Sequence, residues 1–437
     1  MTDTNLNTTK ALLDFIEKSP TAFHAVETIG SMLHEEGYTH LGEGQDWGLI
    51  PGGKYYVTRN QSSLIAFRIP ENYAAGFLIT ASHSDSPTFK IKASMTGTAA
   101  GKYTRLCVEN YGGMIYSSWM DRPLSVAGRV ILSKDGSIVC QNVKIDRDLA
   151  LIPNVAIHQM RTQNNGVALN PAVDLLPLFG GKDASLTDIL TEELQVEKEQ
   201  ILDTDLYLYN RTPGTVWGAD NAYFSAPRID NLQSAYGTLC GFIHPEITEK
   251  VTGIPVYSIF DNEETGSATK QGAGSRFLAD VLARICDKLG LHLNQVLASS
   301  FMISADNAHA VHPNHGELSD TANAPYLNEG IVIKYNAAQK YTTDAFSAAV
   351  FKEICRMADV PVQVFHNRSD MPGGSTLGSI SNTNVPLYTV DIGLPQLAMH
   401  SSYETAGCAD TDHLIRACAK FYASAFLSYC DGMLKIL

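Results

Sequence analysis

The stretch Gly76–Phe–Leu–Ile–Thr–Ala–Ser–His83–Ser–Asp85 decides the fold. Apolar and small residues run unbroken into His83, the pattern of a strand buried on both faces, as parallel sheets require. At the end of such a strand the chain leaves the sheet, and open α/β sheets bind their ligands there. In extended chain, residues i and i+2 point the same way. Asp85 is therefore expected to reach back to one imidazole nitrogen of His83 and leave the other free for a metal. Alone, a His-x-Asp pair is more often structural.

The pattern recurs. Ile254–Phe260 is a second strand-like run and empties into Asp261–Asn–Glu–Glu264. Ser300–Ser304 is a third, ending in Ala305–Asp306, and Val385–Val390 is a fourth, followed by a loop carrying His400. One metal-capable residue at a strand end is ordinary. Four strands that each deliver His, Asp or Glu are hard to explain by loop solvation alone.

At 437 residues, with 44% hydrophobic and 18% charged, the chain reads as a soluble globular protein of two domains. A formal charge of −14 argues against nucleic acid and anionic membrane surfaces as partners. The first ten residues hold no apolar signal core, and no run approaches the roughly 20 apolar residues of a membrane span. Eight cysteines are scattered without Cys-x-x-Cys, which reads as buried free thiols in a reducing compartment. A cytoplasmic enzyme is expected.

Leu12, Leu13, Phe15 and Ile16 predict an opening helix, and Ser19–Pro–Thr21 is expected to stop it and cap a second. From about Lys90 the texture turns to short alternating runs with Gly turns, including a hairpin signal at Lys134–Asp–Gly136. A charged patch near Lys182–Lys198 reads as a surface excursion. Helical texture resumes at Leu232–Phe242, Phe277–Leu289 and Asp344–Met357, and a long final helix is expected over about 411–429. The fold class is α/β: a mixed, mostly parallel sheet flanked by helices, formed by residues 1–89 and 229–437, with an inserted β-rich domain over 90–228.

Five side chains could hold two metals: His83, Asp230, Glu264, Asp306 and His400. Asp230 precedes the helix at Leu232 and has a second reading as its N-cap. Glu263 and Glu264 repel unless a cation lies between them or one takes a proton. That suggests a metal-bound Glu264 beside a free Glu263, the latter accepting a proton from water and passing it to a leaving amine. His309 and His312 stay ambiguous among zinc cluster, substrate contact and plain loop. A ligand set without Cys suits Zn²⁺, Mn²⁺ or Co²⁺. Gly272–Ala–Gly274 lacks the context of a phosphate loop. Met371–Pro–Gly–Gly–Ser–Thr–Leu–Gly378 reads as a tight loop beside the site, with no His–Asp partnership to activate Ser375.

The blocks Ser82–His–Ser–Asp–Ser–Pro87, Pro227–Arg–Ile–Asp–Asn–Leu232, Phe260–Asp–Asn–Glu–Glu–Thr–Gly266, Ser304–Ala–Asp–Asn–Ala–His–Ala–Val–His–Pro–Asn314 and Ala398–Met–His–Ser–Ser402 together resemble the aspartyl aminopeptidase family of dinuclear zinc metallopeptidases. The resemblance implies that His83, Asp230 and Asp306 hold one ion and Asp230, Glu264 and His400 the other, with Asp230 bridging. It implies Glu263 as general base and Asp85 as the residue orienting His83. His158 matches a histidine that reaches into a neighbouring subunit's site, and His309 and Lys334 match substrate-contacting positions. It further implies a tetrahedral dodecamer built through the inserted domain, acting on short peptides with a free N-terminus, with acidic Asp/Glu preferred by some members. The alternatives are a deacylase or carboxypeptidase on the same scaffold, and a non-catalytic assembly protein that keeps metals for structure.

Overall fold

Seven consecutive buried residues, Phe77–His83, form a strand inside a nine-stranded sheet. The computed structural model describes residues 1–73, 76–245 and 253–437. Across the sheet the strands run Thr39–Leu41, Lys54–Arg59, Ser63–Arg68, Ile254–Phe260, Phe77–His83, Phe301–Ala305, Tyr388–Gly393, Ile331–Tyr335 and Val362–His366. The four strands singled out from the sequence are adjacent and mutually parallel, with His83 in register with Phe260. Their carboxyl ends therefore open on one edge. The fourth begins at Tyr388 rather than at Val385, because Pro386 has no N–H to give a ladder.

Helices cover both faces of this sheet. Asp3–Lys18, Ala22–Glu35, Ile229–Ile243, Ala345–Met357 and Asp410–Tyr422 pack on one face, around residues such as Phe15, Ile29, Phe242, Phe351 and Phe421. Phe277–Leu289 and Leu293–Ala298 cover the other, around Phe67, Phe77, Phe260 and Phe277. The architecture is a mixed, mostly parallel α/β sheet with a β-rich addition. Among the described residues no helix is long and apolar enough to cross a membrane. All eight cysteines are free; Cys286, Cys355, Cys408 and Cys418 are buried, whereas Cys140 and Cys430 are exposed.

A second sheet of six strands draws on segments between Thr88 and Asn210. Leu124–Lys134 and Ser137–Lys144 are joined by Asp135 and Gly136, both at positive φ, as a two-residue hairpin turn demands. The charged stretch near Lys182–Lys198 is no mere excursion. It holds the helix Leu186–Leu194, whose Leu186, Leu190 and Leu194 enter the core of this sheet beside Trp119 and Leu206. Residues 211–228 hold two further strands, and Tyr223–Ala226 pairs with Glu404–Gly407 instead of with the six-stranded sheet.

The expected helix to residue 429 stops at Tyr422. Phe426–Cys430 and Met433–Ile436 form a hairpin, with Gly432 at φ +78° between them. Thr21 stands at the start of the second helix, but its hydroxyl lies 2.8 Å from His24 Nδ1 and caps no main-chain N–H. Burial, with Lys144 and Arg228 adding to it, pushes His24 down to about 4. A folded chain that binds this proton less readily than the unfolded one loses stability as pH falls from the ordinary 6.5 toward 4. Between pH 7 and pH 5 the wild type should lose about 2 kcal/mol more stability than His24→Gln. Parallel denaturation series for the two proteins check this, and equal pH slopes would refute it.

Candidate active site

The carboxyl edge of the four parallel strands gathers residues that lie far apart in the chain. His83 ends its strand, Asp306 follows the strand Phe301–Ala305, and Glu263 and Glu264 follow Ile254–Phe260. Asn262 at φ +62° and Gly266 at φ +97° bend the chain so that both glutamates line the cleft; Asn and Gly are the residues that take this conformation most readily. Asp230 does not cap its helix. It sits within the first turn of Ile229–Ile243 with φ −78° and ψ 108°, and its carboxylate faces two histidines. His400, at φ +67°, comes from the loop after the short strand Pro395–Leu397, which itself follows Tyr388–Gly393.

Four separations describe the cluster. His83 Nε2 is 3.4 Å from Asp230 Oδ1 and 3.4 Å from Asp306 Oδ1. His400 Nε2 is 3.5 Å from Asp230 Oδ2 and 3.4 Å from Glu264 Oε2. These are longer than N–H···O bonds of about 2.7–3.2 Å. Two donors bound at about 2.1 Å to one tetrahedral ion stand about 3.4 Å apart. Asp230 Oδ1 and Glu264 Oε1 are buried without a hydrogen-bond partner, a costly state that a cation would relieve. His83, Asp230 and Glu264 also offer donor atoms within 4.8 Å of one another. The residue set fits divalent cations.

The electrostatics point the same way. Burial opposes a charge on His400, yet Asp230 and Glu264 lift it to about 10. Burial, opposed by His83 and aided by Asp306, Asp85 and Asp230, pushes Glu263 up to about 8. A crowd of carboxylates in a poorly solvated cleft draws positive charge.

Asp85 orients His83 differently from the expectation. Nδ1 lies 3.1 Å from the Asp85 main-chain oxygen and 3.5 Å from its carboxylate. The strand ends at His83, so the alternation that would align the two side chains stops there. The Asp85 carboxylate instead accepts the N–H groups of Glu263 (3.1 Å) and Glu264 (3.2 Å) and the Tyr111 hydroxyl (2.7 Å). It thereby fixes the turn that carries both glutamates.

The cleft is lined by the cluster and by His309, Lys334, Tyr341, Phe365 and the Gly374–Thr376 stretch of the glycine-rich loop. Lys334 is buried, with Nζ 3.2 Å from Asp306 Oδ2. His158 is exposed on the β-rich insertion and does not line the cleft of its own chain. His312 is exposed, accepts the Asn314 N–H and does not line it either.

Two residues escaped the sequence reading. Glu404 is buried, and its two oxygens accept the N–H of Asp230 (3.0 Å) and of His400 (2.8 Å). Tyr111 bridges Asp85 and Asn262. Neither belongs to a periodic pattern; the Gly112–Gly113 turn after Tyr111 was the nearest signal, and it marks only a chain reversal.

A family described as aminopeptidase I zinc metalloprotease (M18) matches residues 15–422. A probable M18 family aminopeptidase 2 from Clostridium novyi is 45% identical over 94% of this chain and 97% of its own length. One from Ectopseudomonas mendocina is 39% identical over 95% and 98%. Among solved structures, a chain of the Ape4 and Nbr1 complex aligns with TM-score 0.93 at 36% identity, covering 96% of this chain and 86% of that one. The S. cerevisiae mApe1 dodecamer aligns at 0.85 with 26% identity, covering 96% and 97%.

Proposed function

The chain belongs to the M18 family of zinc metalloproteases and is a metalloaminopeptidase, and from that premise we propose which residues do the work and on what. His83, Asp230 and Asp306 would hold one divalent ion, and Asp230, Glu264 and His400 would hold a second, with Asp230 shared between them. The observation that carries this reading is the set of four donor separations of 3.4–3.5 Å, in which the two oxygens of the buried Asp230 carboxylate face one histidine each and Asp306 and Glu264 supply the other two. Zn²⁺ is the ion the family description favours, and Mn²⁺ or Co²⁺ suits the same oxygen and nitrogen donors. Ions bound there supply Lewis acidity, acidifying water and polarising a carbonyl.

The protein's own groups do the rest. Glu263 lines the cleft without belonging to either donor set. Its carboxylate takes a proton from water and delivers it to the leaving amine nitrogen. The carboxylate-rich end of the cleft receives the substrate's free α-amine. Lys334 and His309 face the side chain of the N-terminal residue. Lys334 favours an acidic Asp or Glu there, although its pairing with Asp306 already occupies part of its charge. The β-rich insertion is an oligomerisation unit. Val155, Ile157, Val173 and Leu178 are exposed on it and would be available to such a contact. A homo-oligomer, a dodecamer as in the yeast relative, would let His158 reach a neighbour's cleft.

Paired substrates test the reading. Asp-, Glu- and Leu-peptides with a free N-terminus should be cleaved one residue at a time, and their N-acetyl forms left intact. Cleavage of only the blocked forms would replace the exopeptidase assignment with a deacylase one. Equal rates for all three residues would remove the acidic preference alone.

A further inference from the structure

We propose that Tyr111–Ser118, a segment of the β-rich insertion, is a positioning strap for the Glu264 and His400 half of the site. This rests on the reading of those two side chains as ligands. Three of its contacts act on that half. The Tyr111 hydroxyl donates to Asp85 Oδ2 at 2.7 Å, and Asp85 in turn holds the Glu263 and Glu264 N–H groups. Gly112, at φ +73°, lies so close to Glu264 that a Cβ there would stand 3.0 Å from the Glu264 Cβ. The Ile115 N–H donates to the His400 main-chain oxygen at 3.0 Å.

His400 needs such a hold. A non-glycine residue at φ +67° sits in strained backbone that persists only when its surroundings impose it. Glu404 grips the His400 peptide from one side, through the N–H at 2.8 Å. Ile115 grips it from the other, through the carbonyl. Two residues on, Ser402 donates its N–H to Ser118 Oγ at 2.9 Å and its hydroxyl to the Ser118 main-chain oxygen. The strap is fastened to the insertion by Trp119, buried edge-on against Phe89. The Gly112 and Ile115 contacts reach only the Glu264 and His400 half, whereas Tyr111 acts through Asp85, which also stands against His83 Nδ1.

Ile115 permits a clean test. Its side chain is 43% exposed and its φ is −80°, within reach of proline. Ile115→Pro therefore removes little but the N–H, and Ile115→Ala keeps it. Zn²⁺ is titrated calorimetrically into the metal-free full-length protein. Wild type and Ile115→Ala should take up two ions. Ile115→Pro should bind the first unchanged and the second roughly ten-fold or more weakly, and activity lost at limiting Zn²⁺ should return at saturating Zn²⁺. If Ile115→Pro titrates like Ile115→Ala, the strap is overturned. If it loses both ions or melts well below Ile115→Ala, Ser118→Ala decides: a weakened second ion upholds the proposal, and wild-type affinity overturns it. His400→Ala is the separate control. Uptake of a second ion as tight as in wild type would remove His400 from the ligand set and leave the strap with no ligand to position on that loop.

Discussion

Glu263→Gln should lower kcat by roughly 10²–10⁴-fold while two ions remain bound and the melting temperature holds. Glu263 lines the cleft but takes part in none of the four donor contacts, so an isosteric amide removes a proton acceptor and no ligand. Its main-chain N–H, bonded to Asp85 Oδ1 at 3.1 Å, survives the substitution, so the turn holding Glu264 stays in place. KM should change far less than kcat, because the lost interaction belongs to proton transfer and not to ground-state binding. Elemental analysis beside steady-state kinetics separates the outcomes. Loss of metal along with activity would mean that Glu263 is a ligand and that another group moves the proton.

Asp230→Asn should be more severe still. Oδ1 lies 3.4 Å from His83 Nε2 and Oδ2 3.5 Å from His400 Nε2, so one amide substitution reduces the charge and donor capacity of both halves. Bound metal should fall from two ions to one at most, and activity by about 10⁴-fold or more, beyond what loss of the general base alone produces. Thermal stability supplies an independent readout. A ligand that binds only the folded chain raises its melting temperature, so chelator should destabilise the wild type more than Asp230→Asn. A variant that still carries two ions and responds to chelator as strongly as the wild type would show that Asp230 does not bridge.

The central strands were legible because burial on both faces leaves few other readings of Phe77–His83 or Ile254–Phe260. Their common edge followed from the strands being parallel, and so did the meeting of His83, Glu264 and Asp306. Asp230 was half legible. Its place before a helix suits a cap equally well, and only the non-helical backbone at Asp230 and Asn231 turns its carboxylate into the cleft. The end of the chain misled because Ala423–Tyr429 carries no residue that forbids a helix; Asp431–Gly432 was the turn signal, of the same kind as Asp135–Gly136. Glu404 was illegible for a different reason. Its function is to accept two main-chain N–H groups, and main-chain partners leave no trace in side-chain spacing.

Glu404 also bears on the life of the polypeptide before it is whole. Its carboxylate is the clasp between Asp230 and a loop more than 160 residues downstream, so a chain still emerging from the ribosome lacks both His400 and the clasp. On the ligand assignment proposed above, the second ion's site is complete only once the strand Glu404–Gly407 has docked.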